Sequence, residues 1–353
     1  MDERAIIVVI NPGSTSTKVA VYSDEVETMC ETLQHDSKTL SRYADVWSQF
    51  NFRLCMAQEW LQRLKDPPSA VVGIGGLLRP VPSGTYAVNE AMLKDAKANL
   101  QGAHPSNLGC AMALELARNT GCPAFVVDPV SVDEFLPLAR YSGHPLIERK
   151  SLSHALNIHA MARKAAKEIG IPYEHTSFVV AHLGGGISIA PVRGGKIIDA
   201  NDASSDGPFS PERTGGLPLQ QFIGLCFSGH LEEKDARALV MGNGGLKAYL
   251  GTNLANEIER RIAAGDEKAR EVYEAMGYQI AKEIGAMATV LSGEVDSIVL
   301  TGGMARSSRL ISTISSRIAR IARILSYPGE NEMLALAQGA LRVLRGEEQA
   351  QEY

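Results

Sequence analysis

The sequence has few cysteines, and no two of them have the CxxC spacing of a redox or zinc-binding motif. An odd number of widely spaced thiols argues against a disulfide framework and against structural zinc. Reduced thiols of this kind are typical of cytoplasmic proteins, where most of them fill space in a core. We therefore expect a cytoplasmic protein whose five thiols are free, namely Cys30, Cys55, Cys110, Cys122 and Cys226.

The sequence also lacks an excess of positive charge and a long apolar run. Lys and Arg number 35 against 40 Asp and Glu, so the formal net charge is -5. This balance argues against nucleic acid or an anionic membrane surface as the main partner. The acidic start MDER lacks the basic region of a signal peptide, and no apolar run approaches the roughly 20 residues of a membrane span. We expect a small-molecule partner, with no nucleic acid and no membrane.

A third absence is the phosphate-binding string GxxxxGK[ST], which occurs nowhere in the chain. In its place stands INPGSTSTKVAVY, Ile10 to Tyr22, where an apolar strand reaches a turn of small residues and a second strand with a lysine follows. A turn rich in glycine and hydroxyl groups exposes main-chain amides and short donors to an anionic oxygen. The expected phosphate-binding residues are Asn11, Gly13, Ser14, Ser16 and Lys18.

The length of 353 residues exceeds the size at which one hydrophobic core usually stops growing, so we expect two domains with a ligand cleft between them. The segment 178–202 repeats the N-terminal theme of apolar strand, glycine turn and strand, which indicates a duplicated architecture. A third apolar strand, in SIVLTGGMA, ends on Gly302 and Gly303. Apolar periodicity further predicts strands at 70–74 and 123–127, and helices at 41–64, 89–101, 107–119, 153–169, 266–291 and 331–346.

Three glycine turns in this order resemble the nucleotide site shared by actin, sugar kinases and acetate kinase. The resemblance implies an α/β fold of two actin-like ATPase (ribonuclease H-like) domains with a cleft between them. The first domain would be 1–129, completed by a C-terminal helix at 334–353, and the second would be 130–333. In that superfamily the first two turns hold phosphates and the third approaches adenosine. The implied nucleotide contacts beyond the first turn are Gly184, Gly185, Gly186, Gly302, Gly303 and Met304.

The signature INPGSTSTKVAVY is similar to the N-terminal motif of the acetate and butyrate kinases. Seven further segments resemble the butyrate kinases in order along almost the whole chain, among them GGLLRPVPSGTYAVNE, QGAHPSNLG and YPGENEMLALAQGA. Acetate kinases are usually longer and carry asparagine where this chain has Gly185. The resemblance implies reversible, ATP- and Mg²⁺-dependent phosphorylation of butyrate or isobutyrate, by a homodimer or a higher homo-oligomer. Acetate or propionate is the alternative acceptor.

Three residues match catalytic positions of that family. Asp128 ends an apolar strand, Arg213 lies in SPERTGGLP, and a single leucine separates His182 from the triple-glycine turn. Each has an ordinary alternative role, since an aspartate can cap a helix, an arginine can be a surface charge and a histidine can be structural. The resemblance assigns Asp128 and Glu332 to magnesium.

The substrate side of the resemblance contains one departure. His104 and Arg79 match substrate-binding segments, but Ile74 occupies the place of a family arginine that faces the substrate carboxylate. Isoleucine has no donor, and a missing charge-assisted hydrogen bond weakens anion binding by about 1.5 to 3 kcal/mol. Arg79 is the candidate replacement. A nucleotide-binding protein without turnover is therefore a second hypothesis for this chain.

Overall fold

The computed structural model describes residues 4–353 of the chain. These residues form two compact units, which we call unit 1 and unit 2. Unit 1 consists of residues 4–133 together with Asn331–Tyr353, and unit 2 is Glu134–Glu330. The boundaries expected from the sequence, after 129 and after 333, lie a few residues from these positions.

Unit 1 is built on a six-stranded sheet that begins with an antiparallel meander. Its strands are β1 (Ile6–Pro12), β2 (Ser16–Ser23), β3 (Val26–Gln34), β4 (Ala70–Ile74), β5 (Thr85–Ala87) and β6 (Ala124–Val127). They lie in the order β3-β2-β1-β4-β6-β5. β1 and β2 pair antiparallel, as do β2 and β3, whereas β4 pairs parallel with both β1 and β6. The predicted hairpin around Gly13 is thus present.

Helices cover the sheet of unit 1. They are α1 (Ser37–Leu40), α2 (Phe50–Leu61), α3 (Glu90–Lys97) and α4 (Gly109–Arg118), with 3₁₀ turns at Trp47–Gln49 and Pro105–Leu108. The apolar face of α2 buries Leu54 and Trp60 in the core that also holds Val8 and Met112. Removal of this apolar surface from water is the main force that fixes α2 and α4 on the sheet.

Unit 2 repeats the strand arrangement of unit 1. Its strands are β7 (Tyr141–His144), β8 (Ile147–Glu148), β9 (Ser177–Leu183), β10 (Ile187–Arg193), β11 (Lys196–Ile197), β12 (Ser297–Gly302) and β13 (Arg323–Pro328). The main sheet has the order β11-β10-β9-β12-β13, and β7 and β8 form a separate hairpin. Here β9, β10 and β11 form the antiparallel meander, while β12 pairs parallel with both β9 and β13. The predicted duplication of architecture is therefore seen in the fold.

The longest helix of unit 2 supplies much of its core. The helices are α5 (Ala155–Ile169), α6 (Leu219–Cys226), α7 (Glu233–Val240), α8 (Gly245–Leu250), α9 (Ala255–Ala263), α10 (Glu267–Val290) and α11 (Ser308–Ile318), with 3₁₀ turns at Pro137–Arg140, Tyr173–His175 and Gly303–Arg306. The Asp266 carboxylate caps α10 by accepting the Ala269 amide at 2.9 Å. At helical spacing, α10 then buries Met276, Ile280 and Ile284.

The chain returns to unit 1 through α12 (Glu332–Leu344), which packs on β1 and β4. Its buried face includes Leu336 and Ala340. The Thr85 hydroxyl of β5 donates to the Gly339 carbonyl at 3.2 Å, so the helix is also bonded to the far edge of the sheet.

Some expected elements differ from the structure. The helix predicted at 41–64 begins only at Phe50, because the Asp45 carboxylate accepts the Ser48 amide at 2.7 Å and holds a turn there. Apolar periodicity does not predict β3, since this strand is mostly exposed. Among residues 4–353, no helix is long and apolar enough to cross a membrane.

Candidate active site

The first glycine turn connects β1 to β2 in unit 1. The Gly13 amide donates to the Ser16 carbonyl at 2.8 Å and closes the turn. The hairpin register then places Asn11 opposite Lys18, so the predicted amide and lysine lie on neighbouring strands. A Cβ added to Gly13 would lie 3.6 Å from the Ser16 carbonyl oxygen, an ordinary contact. The described residues therefore leave room for a Cβ atom at position 13.

A buried arginine binds the main-chain carbonyls of this turn. Arg53 of α2 is fully buried, and its guanidinium donates to the carbonyls of Gly13 at 2.8 Å, Ser16 at 3.0 Å and Ser14 at 3.2 Å. Sequence reasoning missed this residue, because an arginine in an amphipathic helix is usually a surface charge. The single available signal was its place beside the buried Leu54 of the helix.

Two predicted ligand residues meet beside the first turn. The Asn11 side-chain amide donates to the Glu332 carboxylate at 3.0 Å, although 321 residues separate them in the sequence. Glu332 is the first residue of α12, so the packing of that helix on β1 brings the pair together.

Asp128 directly follows β6 and is 3% exposed. Its φ of 38° is positive, which is uncommon for a residue other than glycine. The Gly84 amide donates to the Asp128 carboxylate at 2.7 Å, and the Asp128 amide donates to the Gly84 carbonyl at 3.0 Å. This double hydrogen bond fixes the carboxylate to the loop that precedes β5.

The predicted substrate residues Arg79 and His104 both lie in unit 1. Arg79 donates to the Asp95 carboxylate at 2.6 Å, and its guanidinium stacks over the Tyr353 ring at 4.8 Å. The Nδ1 of His104 lies 2.8 Å from the Ser106 hydroxyl at the start of a 3₁₀ turn. Arg79 is thus already paired with an acidic side chain. Its charge is largely neutralised, which reduces its attraction for the carboxylate of a substrate.

In unit 2, His182 belongs to a buried polar group at the end of β9. Its Nδ1 lies 2.9 Å from the Asn157 carbonyl oxygen, and its ring stacks on His154 with centroids 4.1 Å apart. An amide oxygen can only accept, so Nδ1 carries the proton and Nε2 of the neutral ring is an acceptor. Burial, and secondarily His154, holds the pKa of His182 well below its usual range. If His182 donated a hydrogen bond to a phosphoryl oxygen through Nε2, its ring would therefore have to be in the imidazolium form.

Arg213 packs directly on the second glycine turn. A Cβ added to Gly186 would overlap the Nη1 atom of Arg213, so the guanidinium occupies this place only because residue 186 has no side chain. Nη1 donates to the Ala203 carbonyl at 2.9 Å, whereas Nε has no hydrogen-bond partner among residues 4–353. Burial lowers the pKa of the Arg213 guanidinium, while the charges of Glu212 and Asp202 raise it. The cation therefore lies against the turn with donor capacity to spare.

A cavity of about 410 Å³ joins the second and third glycine turns within unit 2. Gly184 and Gly185 line it from one turn, and Gly303 and Met304 line it from the other. A Cβ on Gly302, whose φ is 92°, would overlap the Leu183 carbonyl, so this glycine lets β12 approach the end of β9. The lining residues that sequence reasoning missed are Pro211, Glu212, Asn253, Leu254, Ala255, Asn256 and Glu330.

The predicted site residues are thus divided between the two units. Unit 1 holds the first turn, Asp128, Glu332, Arg79 and His104. Unit 2 holds the second and third turns, with His182 and Arg213. These residues include glycine turns, a cation packed on one turn, the buried carboxylate of Asp128 and the half-buried carboxylate of Glu332. Such groups are suited to phosphate and metal chemistry.

Comparisons with known proteins agree with this chemistry. The Acetokinase family matches residues 140–324. The chain is 50% identical to a probable butyrate kinase 2 of Caldanaerobacter subterraneus subsp. tengcongensis, over 97% of this chain and 98% of that one. It is 49% identical to butyrate kinase 2 of Clostridium acetobutylicum, over 98% and 99%.

Solved structures show the same fold. Acetate kinase from Porphyromonas gingivalis superposes with a TM-score of 0.76 at 17% identity, covering 96% of this chain and 99% of that one. A propionate kinase from Francisella tularensis gives 0.71 at 20% identity, with coverages of 95% and 98%. The predicted α/β fold with two actin-like domains is therefore confirmed. The matches also confirm the predicted enzyme class, an ATP-dependent kinase with a carboxylate acceptor, and the chain belongs to the acetokinase family.

Proposed function

We propose that the chain catalyses reversible transfer of the γ-phosphoryl group of ATP to butyrate or isobutyrate, in the presence of Mg²⁺. The products of the forward reaction are an acyl phosphate and ADP. The observation that carries the proposal is the packing of Arg213 on Gly186, in the turn whose other two glycines line the cavity of unit 2. Relatives about 50% identical that are named butyrate kinase support the choice of acid.

The acceptor needs no general base. A short aliphatic acid has a pKa near that of a free acidic side chain, below about 5, and is ionised at neutral pH. The obstacle is repulsion between this anion and a phosphoryl group that is itself negative. Catalysis therefore consists of alignment and of charge stabilisation on the transferring group.

Arg213 is the group best suited to that stabilisation. Its guanidinium already lies against the glycine turn, and only Nη1 donates to an acceptor within residues 4–353, so Nη2 is able to donate to an anionic oxygen. Partial burial strengthens its field, because water screens the charge less there than at an open surface. By this proposal Arg213 neutralises the equatorial oxygens of the phosphoryl group as it transfers.

The carboxylates of unit 1 fit a magnesium ion that arrives with the nucleotide. Asp128 and Glu332 offer hard oxygen atoms, and Mg²⁺ usually takes one or two carboxylates besides waters and substrate phosphates. Within residues 4–353, no group of three acidic, histidine or cysteine side chains is arranged for a metal, so a dedicated protein cage is not the expected mode. Bound there, magnesium would neutralise phosphate charge. The hydrogen bond from the Gly84 amide would orient Asp128 for this role.

The acyl side of the site is proposed to lie near Ile74 and His104 of unit 1. Gly109 packs closely against Ile74: a Cβ added to Gly109 would overlap the Ile74 carbonyl oxygen. An aliphatic side chain at position 74 favours contact with the apolar tail of a four-carbon acid over contact with its carboxylate. Acetate and propionate, which have shorter tails, remain alternative acceptors. The predicted homodimer or higher homo-oligomer stays a prediction, which sedimentation equilibrium tests.

The direct test traps acyl phosphate with hydroxylamine. Purified protein is incubated with ATP, Mg²⁺ and one of a panel of acids from acetate to hexanoate, and the acyl hydroxamate is measured. We expect the highest kcat/KM with butyrate or isobutyrate. A preference for acetate or propionate would replace the proposed acid. No product with any acid, together with ATP binding, would support the hypothesis of a nucleotide-binding protein without turnover.

A further inference from the structure

Arg53 is a buried cation without an anionic partner. Its side chain is 0% exposed, and its guanidinium donates to main-chain carbonyls of the first turn, to the Thr17 hydroxyl at 3.3 Å and to the Gln49 amide oxygen at 2.9 Å. No carboxylate within residues 4–353 pairs with it, whether by hydrogen bond or by salt bridge. Burial lowers the pKa of the Arg53 guanidinium. A buried charge of this kind is costly unless an anion compensates it.

The contacts of Arg53 set the direction of two peptide groups. In a planar trans peptide the C=O and the following N–H point in opposite directions, and the described residues contain no cis bond. The carbonyls of Gly13 and Ser14 point to Arg53, at 2.8 and 3.2 Å. The N–H groups of Ser14 and Thr15 must therefore point away from it.

Those two N–H groups donate to no protein acceptor in the part of the chain that the structure describes, whereas the Gly13 amide is used within the turn. Ser14 and Thr15 are both exposed, so the donors face outward. Adjacent outward amides with a cation behind them form a positive concavity that suits an anionic oxygen. The missing counter-charge of Arg53 and the two free donors thus point to the same ligand chemistry.

The polar side chains next to Arg53 carry no charge that could balance its guanidinium. His35 is buried next to the turn, with its Nε2 2.8 Å from the Thr17 hydroxyl. Burial, and secondarily the charge of Arg53, lowers the pKa of His35 to about 4, so its ring is neutral near pH 7. Gln49 offers only an amide oxygen. Residues 4–353 therefore supply no anion that balances Arg53, and an anionic ligand would supply it.

We propose that Arg53 is a positioning residue for nucleotide phosphate, holding the first turn by its carbonyls so that the Ser14 and Thr15 amides face a phosphoryl oxygen. The proposal rests on the proposed function, because it takes ATP as the ligand of the first turn. It predicts that Arg53 acts on phosphate binding and leaves the adenosine contacts of unit 2 unchanged.

The test compares ATP and adenosine binding by isothermal titration calorimetry in wild type, Arg53→Met and Arg53→Lys. We expect the Kd for ATP to rise roughly 100-fold in R53M and about 10-fold in R53K, which keeps the charge but loses the planar fork. The Kd for adenosine should stay within about twofold in both variants. If Arg53 had only a structural role, its substitution would weaken the binding of both ATP and adenosine, or of neither. Either result would overturn the proposal.

The matched control is Arg63→Met, which removes an exposed arginine that pairs with Glu31 at 3.1 Å. This variant should bind ATP as wild type does. If R53M fails to fold, as circular dichroism would show, R53K alone decides the question. Wild-type ATP binding without phosphoryl transfer would refute the proposed function and leave the role of Arg53 standing. Unchanged ATP affinity in R53K together with normal turnover would refute only the role of Arg53.

Discussion

The glycine turns at Gly13 in unit 1 and at Gly184–Gly186 in unit 2 occupy the same place in two sheets that share the order of five strands, yet the turns are supported differently. Arg53 holds the first turn through its carbonyls, from the side away from the free amides. Arg213 packs on the face of the second turn, where Gly186 leaves space for it. Duplication of the architecture has therefore not duplicated the chemistry. We propose that the first turn binds nucleotide phosphate and that the second turn positions the Arg213 cation for phosphoryl transfer.

Loss of Arg213 should give the largest effect. By analogy with other arginines that stabilise phosphoryl transfer, Arg213→Met should lower kcat roughly 10³- to 10⁵-fold, or about 4 to 7 kcal/mol in the activation barrier. Arg213→Lys should recover only part of this, because an ammonium lacks the planar fork. Initial rates of acyl hydroxamate formation measure both variants. A loss below tenfold would mean that Arg213 does not act on the transferring group.

Substitution of one glycine in each turn should affect kcat in one case and the KM for ATP in the other. Gly186→Ala should lower kcat about 100-fold, because the new Cβ overlaps Arg213 and displaces its guanidinium by about an ångström. Gly13→Ala is the matched substitution, since its Cβ makes only an ordinary contact with the protein. G13A should keep the thermal stability of wild type and alter the KM for ATP more than kcat. Equal kcat losses in both variants would remove the distinction between the turns.

Ile74→Arg tests the carboxylate side of unit 1. A guanidinium at this position should lower the KM for butyrate by about 10-fold, the effect of one charge-assisted hydrogen bond. Ile74→Leu is the control that keeps an apolar side chain and should leave the KM within about twofold. An unchanged or higher KM in I74R would indicate that the acyl site has been rebuilt around the isoleucine.

A further prediction concerns the pH dependence of the stability of unit 2. Burial, and secondarily the charge of Arg213, lowers the pKa of His154 to about 4. Below pH 6.5 the unfolded state binds the proton and the folded state does not, so stability falls as the pH drops from 6.5 toward 4. For one such histidine the loss between pH 7 and pH 5 is about 2 kcal/mol. Urea unfolding at both pH values should show a smaller loss in His154→Asn than in wild type. An equal loss would place the acid sensitivity elsewhere.

The sequence predicts the strands and turns well, since each is a local pattern. Continuous apolar runs predict β1, β4, β6, β9 and β12, and their small-residue ends predict the turns. It does not predict β3, whose side chains are mostly exposed and show no alternation. It also misplaces the start of α2, because the turn at Asp45 depends on a side-chain hydrogen bond that periodicity does not reveal.

The candidate site could be predicted only in part. Family motifs point to Asp128, Arg213 and Glu332, but they do not indicate which residues form hydrogen bonds with these three side chains. The Asn11–Glu332 contact joins positions 321 residues apart, and nothing local in the sequence indicates such a pair. Arg53 is hidden for a different reason. A lone arginine in a helix is usually solvated, and its burial follows from tertiary packing that residue type alone does not reveal.

The separate roles of Arg53 in ATP binding and of Arg213 in phosphoryl transfer are tested most directly by the ATP dependence of butyryl phosphate formation in a single turnover. Wild type, R53K and R213K are each mixed with butyrate, Mg²⁺ and increasing ATP, and the rate at saturation is separated from the half-saturating concentration. We predict that R53K needs more ATP but reaches nearly the wild-type rate. R213K should saturate at wild-type ATP concentrations and remain slow. The opposite assignment, or the same defect in both variants, would contradict the account.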